Sequence, residues 1–159
     1  MKNCKDTTKA VCSTWFKGEL IDNLLAEYTK THIPGSPYFG IMDIADKSSG
    51  LSATLPKTND FVREMRRLGL KKSDTIVIYE HNRIMSAPRV SWMLRIFGAK
   101  DVRILNGCLK KWISEGRSVV NGTTFDVNDN STEGYDYKIK DSMYATLRPT
   151  MQKVYQTES

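Results

Sequence analysis

The residues of this chain best placed to do chemistry follow a short apolar run, Thr75-Ile76-Val77-Ile78-Tyr79. That run reads as a buried parallel strand. It delivers Glu80, then a loop of His81, Asn82, Arg83, Ile84 and Met85, and then Ser86-Ala87-Pro88, which reads as a helix start. In an α/β domain such a loop lies at the carboxyl edge of a strand and the amino end of a helix, where anions bind and chemistry is done. An acid, an imidazole and a guanidinium within four residues invite an acid–base role. The plainer reading, preferred here, is a set of solvent-facing loop charges with a local ion pair of little value. Cys108 follows Gly107 and opens a helix whose dipole could lower the thiol pKa. A buried, inert small residue is the preferred reading. Cys4 and Cys12 have no visible activating neighbour. Arg89 and Arg95 could line an anion pocket, but helix-surface packing and salt bridges are preferred. Two histidines and three scattered cysteines give no metal-site spacing, so neither a metal nor a cofactor is expected.

The elements that must hold this loop follow from periodicity. Residues 13–31 read as an amphipathic helix on Trp15, Phe16, Leu20, Leu24, Leu25 and Tyr28, with Ser13 or Thr14 as N-cap. Pro34-Gly35 stops it, 37–44 reads as a short strand, and 46–57 as a loop. Thr58 caps a helix carrying Phe61, Met65 and Leu68 on one face, with Gly69 as its stop. After strand 75–79 come a helix over 86–97, a strand over 102–105 and a helix over 108–115. Ser86 is the expected N-cap of the first of these helices, with Pro88 in its first turn. Strand–helix–strand–helix at this spacing predicts a parallel sheet covered by helices. Residues 121–135 are polar and read as loop, and 141–155 as a helix interrupted at Pro149.

At 159 residues, 40% hydrophobic and 26% charged, the chain suits one soluble domain. No apolar run approaches the length of a bilayer span. The net charge of +6 is spread over scattered basic residues, which argues against a nucleic-acid interface. The odd cysteine count fits a reducing compartment. The Lys/Thr-rich first seventeen residues resemble a transit peptide weakly, since they lack Arg and contain Asp6.

Tyr28-Thr-Lys-Thr-His32-Ile33-Pro34-Gly35-Ser36 resembles the rhodanese signature, with Ser36 in place of alanine. Further segments resemble the amino-terminal domain of tandem rhodaneses and mercaptopyruvate sulfurtransferases. They are Asp46-Lys47-Ser48-Ser49, Leu55-Pro56, the run from Ser86 to Met93 with Pro88, Arg89 and Trp92, Arg95-Ile96-Phe97-Gly98, and Leu105-Asn106-Gly107-Cys108 followed by Trp112 and Gly116. The resemblance covers roughly residues 25 to 120. It implies a rhodanese-like α/β fold, a parallel sheet with helices on both faces, shortened by one strand near the amino terminus.

The implied organisation is an extension at 1–12, a degenerate rhodanese-like domain at 13–120 and a linker-like segment at 121–159. In tandem members the cysteine sits in the other, carboxyl-terminal domain, and that half is expected to be absent. Glu80 then stands about where an active loop holds its cysteine. A carboxylate cannot carry sulfane sulfur and would repel an anionic donor. The resemblance therefore makes 80–86 a vestigial active-site loop and gives Tyr28, His32, Ile33, Pro34, Gly35, Pro88, Arg89, Trp92, Gly107 and Trp112 structural roles. The expectation is a protein that is not an enzyme but an accessory subunit of a larger assembly, with protein subunits as partners. The family points to mitochondria, with the cytoplasm as the alternative. The competing expectation is thiosulfate/3-mercaptopyruvate sulfurtransferase activity, direct or by completing a partner's active site.

Overall fold

The structure is a computed structural model and describes residues 7–15, 21–49, 54–123, 131 and 133–139. Three parallel strands, β1 (Thr8–Cys12), β2 (Thr75–Tyr79) and β3 (Asp101–Ile104), form a sheet in the order β1-β2-β3. Thr8 pairs with Thr75, and Thr75 with Asp101, so the three strands start level, and β3 ends one residue short of the other two. The helices are α1 (Ile21–Lys30), α2 (Ile41–Ile44), α3 (Thr58–Leu68), α4 (Ala87–Ile96) and α5 (Cys108–Ser114), with a 3₁₀ turn at Lys47–Ser49.

Side-chain alternation along the strands divides the interior in two. Val11, Ile76 and Ile78 point into the larger core, against Phe61, Met65 and Leu68 of α3 and Val90, Met93 and Leu94 of α4. Phe61 and Phe97 stack there at 3.9 Å, and Tyr137 meets Phe61 edge-on at 5.2 Å. Cys12 and Tyr79 point the other way, into a smaller cluster with Leu24 and Tyr28 of α1 and Leu109 of α5. Helices thus cover both faces, as the strand–helix alternation predicts, and the sheet is short.

The amino-terminal third differs from the sequence expectation. Of the helix predicted over 13–31, Ile21–Lys30 forms α1; residues 13–15 are not helical, and 16–20 lie outside the described residues. Thr8–Cys12, assigned to an extension, is β1, hydrogen-bonded along β2. On its outer side the Cys12 N–H donates to the Pro37 carbonyl at 2.9 Å, and the Phe39 N–H to the Cys12 carbonyl at 2.7 Å. Val11 and Cys12 are both fully buried on opposite faces, which a strand inside a sheet allows. The strand expected over 37–44 shrinks to one bridge at Tyr38, and Ile41–Ile44 turns into α2 with the Ile44 N–H on the Gly40 carbonyl. A short apolar run fits either state, and here burial of Ile41 and Ile44 on one side of a turn decides it. The helix expected over 141–155 and most of the 121–135 loop lie outside the described residues.

Candidate functional site

Tyr79 ends β2 inside the sheet, so Glu80 leaves the strand directly beneath the amino end of α4. Glu80 is only 1% exposed. Its Oε1 accepts the Met85 and Ala87 N–H groups, each at 2.7 Å. Its main-chain carbonyl accepts the Leu109 N–H at 2.7 Å, which ties the loop to α5. Glu80 is therefore the cap of α4, working across the loop rather than along the chain. Ser86 holds the N-cap position without capping. Its hydroxyl donates instead to the Ser13 carbonyl, joining α4 to the end of β1. Burial raises the Glu80 pKa above the ordinary carboxyl range, against the pull of the amide hydrogen bonds.

His81 is also buried, so the solvent-facing loop charges expected from sequence are not found at these two positions. Its Nε2 lies 2.9 Å from the Thr31 carbonyl, which only a protonated ring nitrogen can satisfy. Nδ1 is then the acceptor for the Thr14 hydroxyl at 2.7 Å. The Thr14 Oγ1 in turn accepts the His81 main-chain N–H at 3.0 Å. Both ring nitrogens are spent on holding β1, α1 and the loop together, which removes His81 as a general base. Asn82, Arg83, Ile84 and Met85 form the exposed tip, with Ile84 and Met85 45% and 41% accessible.

Two clefts of about 360 and 310 Å³ flank the loop and share Glu27, Lys30, His81 and Asn82. Glu27 and Lys30 are ion-paired at 2.7 Å along α1.

The segment from Tyr28 to Gly35 is a hydrogen-bonded corner. The Tyr28 ring stacks on His32 at 4.3 Å, and its hydroxyl donates to the Ser36 carbonyl at 2.6 Å. His32 Nδ1 lies 3.1 Å from the Tyr28 carbonyl, and burial holds its pKa down. The Tyr79 hydroxyl accepts the Ile33 N–H at 3.1 Å and meets the Ser36 hydroxyl at 2.6 Å. Pro34 and Gly35 are exposed, and Gly35 takes φ +71°, which favours glycine. Arg89 places its guanidinium 4.4 Å from the Trp92 ring, and Pro88 sits exposed in the first turn of α4. Trp112 Nε1 donates to the Ser118 carbonyl at 2.9 Å.

Gly107 and Cys108 both have positive φ, +87° and +59°. Cys108 is 3% exposed, and burial first, then Glu80, raises its pKa. Burial likewise pushes the Cys12 thiol up to about 11. Neither thiol has the lowered pKa of a nucleophile. Thr14 and Ser13 organise the loop, and Ser36 and Tyr79 the corner beside it, without any signal in the sequence that marks them as site residues. A hydroxyl in sequence carries no signal of the partner that the fold brings to it. Among the described residues no cluster of His, Cys, Asp and Glu could hold a metal ion, and no helix is long and apolar enough to cross a membrane.

Residues 17–115 match the model of the rhodanese-like domain. The chain belongs to the rhodanese-like family. It is 34% identical over 118 residues to thiosulfate/3-mercaptopyruvate sulfurtransferase 2 of Arabidopsis thaliana, covering 74% of this chain and 34% of that protein. It is 40% identical over 90 residues to the 3-mercaptopyruvate sulfurtransferase of Escherichia coli, covering 57% of this chain and 32% of that protein. A solved 3-mercaptopyruvate sulfotransferase structure from Escherichia coli superposes with a TM-score of 0.69 at 32% identity, over 74% of this chain and 45% of that one. The sulfur transferase subunit of yeast mitochondrial complex I superposes at 0.56 and 30% identity, over 62% of this chain and 33% of that one. The chain spans about a third of the length of these curated relatives. The matches correct the expectation that the protein is not an enzyme, because relatives named as sulfurtransferases share 34% and 40% identity with it. That expectation took the chemistry of one loop for that of a whole protein.

Proposed function

We propose that this domain works in a sulfurtransferase of the thiosulfate/3-mercaptopyruvate class, together with a rhodanese domain that supplies the nucleophilic cysteine. The observation that supports this reading is Glu80: its Oε1 takes the Met85 and Ala87 amides, the donors that a loop of this kind would turn on an anionic sulfur. The reaction needs a thiolate that attacks the outer sulfur of thiosulfate. The S–S bond then breaks, its electron pair leaves with sulfite, and a persulfide remains. Cys12 and Cys108, both buried with raised pKa, are unsuited to that step. The domain's contribution is a braced wall beside the reacting cysteine. Its loop is fixed at three points, by Glu80, by His81 and by the amino end of α5.

The test is sulfur transfer from thiosulfate to cyanide, assayed for the full chain with and without a cysteine-bearing rhodanese domain, in the same protein or added separately. The expected result is a higher kcat/KM when both are present and no change with Cys108→Ser. Persulfide labelling of the chain alone that disappears in Cys108→Ser would defeat the reading.

A second reading concerns assembly. The likeness to the complex I sulfur transferase subunit favours a protein-bound role in a larger mitochondrial complex. Co-migration of the endogenous protein with such a complex on native gels is its test, and a free monomer would refute it.

A further inference from the structure

The chain leaves β1 and β2 toward opposite faces of the sheet. After β1 it returns as α1, whose Leu24 and Tyr28 pack with Cys12 and Tyr79 in the smaller cluster. After β2 it returns as α4, whose Val90, Met93 and Leu94 pack in the larger core on the other face. Neighbouring parallel strands that diverge in this way leave a crevice at their carboxyl ends, and open α/β sheets bind ligands in that crevice. The two clefts beside the loop open there. Thr14, two residues past β1, and His81, two past β2, line the first of them. The clefts share Glu27, Lys30, His81 and Asn82, so they are halves of one groove with α1 and α5 as its walls.

The half beside α5, about 310 Å³, holds the groups available to a ligand. Lys30 is matched by Glu27 at 2.7 Å, and His81 has both ring nitrogens engaged. Lys110 and Asn82 remain: among the described residues neither the ammonium nor the side-chain amide has a partner. The Lys110 main-chain N–H donates to the His81 carbonyl at 3.0 Å, which seats this lysine beside the loop. Lys30 and Lys110 against Glu27 leave the groove one positive charge in excess. Leu109, buried, and Ile113, 46% exposed, add an apolar wall. A surplus cation and an amide donor beside an apolar wall suit an anion that carries a short carbon chain. We propose that this groove binds a small organic carboxylate, with Lys110 and Asn82 on the carboxylate group and Leu109 and Ile113 beside the carbon chain. An inorganic oxyanion would use the same donors and leave the apolar wall idle. The inference goes beyond the sulfur-transfer reading and does not rest on it.

The experiment titrates the ¹⁵N-labelled full chain with sodium propionate, and separately with sodium nitrate, at pH 7 and constant ionic strength, and follows the amide shifts by NMR. Constant ionic strength removes screening as a cause of the shifts, and both probes are monovalent. The variants are Lys110→Glu and Lys111→Glu. Both residues are exposed on α5 and both changes alter the net charge alike, but Lys111 lines a different cleft, where it meets Glu115 at 3.8 Å. The expected result is saturable shifts with propionate at the amides of Lys30, Thr31, Asn82, Leu109 and Lys110, and weaker binding of nitrate. Lys110→Glu should lower propionate affinity about tenfold or more, as loss of a charge-assisted hydrogen bond does, while Lys111→Glu stays near wild type. The proposal is overturned by propionate shifts that do not saturate, by nitrate binding as tightly as propionate, or by a loss in Lys110→Glu no greater than that in Lys111→Glu.

Discussion

The Thr14 hydroxyl is a single oxygen on which the loop depends, and its removal should be costly. Thr14→Val preserves shape and deletes one hydroxyl. That oxygen accepts the His81 main-chain N–H at 3.0 Å, bonds His81 Nδ1 at 2.7 Å and lies 3.4 Å from the Cys12 sulfur. Thr14 is 1% exposed, so water cannot take the hydroxyl's place on the buried side. Each buried polar group left without its partner costs about 1–3 kcal/mol. Two such groups, one on a ring that borders the cleft and can be partly rehydrated, give about 2–4 kcal/mol. That is a large share of the roughly 5–15 kcal/mol that holds a domain of this size together. Urea unfolding of wild type, Thr14→Val and Thr14→Ser at pH 7 measures it. Thr14→Ser keeps the oxygen and should stay within about 1 kcal/mol of wild type. A Thr14→Val loss below about 1 kcal/mol, or equal losses for both variants, would show that the hydroxyl is not the link between β1 and the loop.

Three further outcomes follow from the same contacts. Burial raises the folded-state pKa of Glu80, so between the ordinary carboxyl value and that higher value the folded chain binds more protons than the unfolded one, and stability falls as pH rises. Urea midpoints from pH 4.5 to 8 should therefore decline more steeply for wild type than for Glu80→Gln; parallel curves would refute the sign. Phe97→Ala, at a fully buried ring stacked 3.9 Å from Phe61, should cost about 3–5 kcal/mol by the same assay, and a loss under 2 would show that the site collapses around the gap. Cys108 is held at φ +59°, so Cys108→Gly should be more stable than Cys108→Ala by about 1 kcal/mol, and the reverse order would show that this backbone carries no strain.

The clearest parts of the fold in sequence were those with two signals in agreement. Strand β2, α4, β3 and α5 lie within one or two residues of their expected spans, because an apolar run, a spacing and a glycine stop coincide there. Gly69 ends α3 at φ +64°, as a glycine stop should. The amino-terminal third departs from its sequence reading because Trp15, Phe16 and Leu20 share a helical period with Leu24 and Tyr28, yet residues 13–15 are not helical. The strand just before it, Thr8–Cys12, is amphipathic by neither rule, since both faces of its carboxyl end are buried. Only its pairing with β2 and with Pro37–Phe39 identifies it, and those contacts are sixty-seven and about twenty-five residues away in sequence.

The character of the loop departs from its sequence reading for a similar reason. Charged residue types at the end of a strand suggest solvent, yet Glu80 and His81 both turn inward because the fold carries donors and acceptors to them: the α4 amides, the Thr31 carbonyl and the Thr14 hydroxyl. The exposed part of the loop holds the apolar pair Ile84 and Met85 together with Asn82 and Arg83. A buried acid and imidazole beside two exposed apolar side chains is not what burial alone selects. The inward polar groups are accounted for, since they replace the anion that a loop at a helix amino terminus otherwise attracts and bind β1, α1 and α5 to one point. The loop is thereby braced at Glu80, at His81 and at the amino end of α5, and its geometry is set by those three points rather than by the charge of its residues.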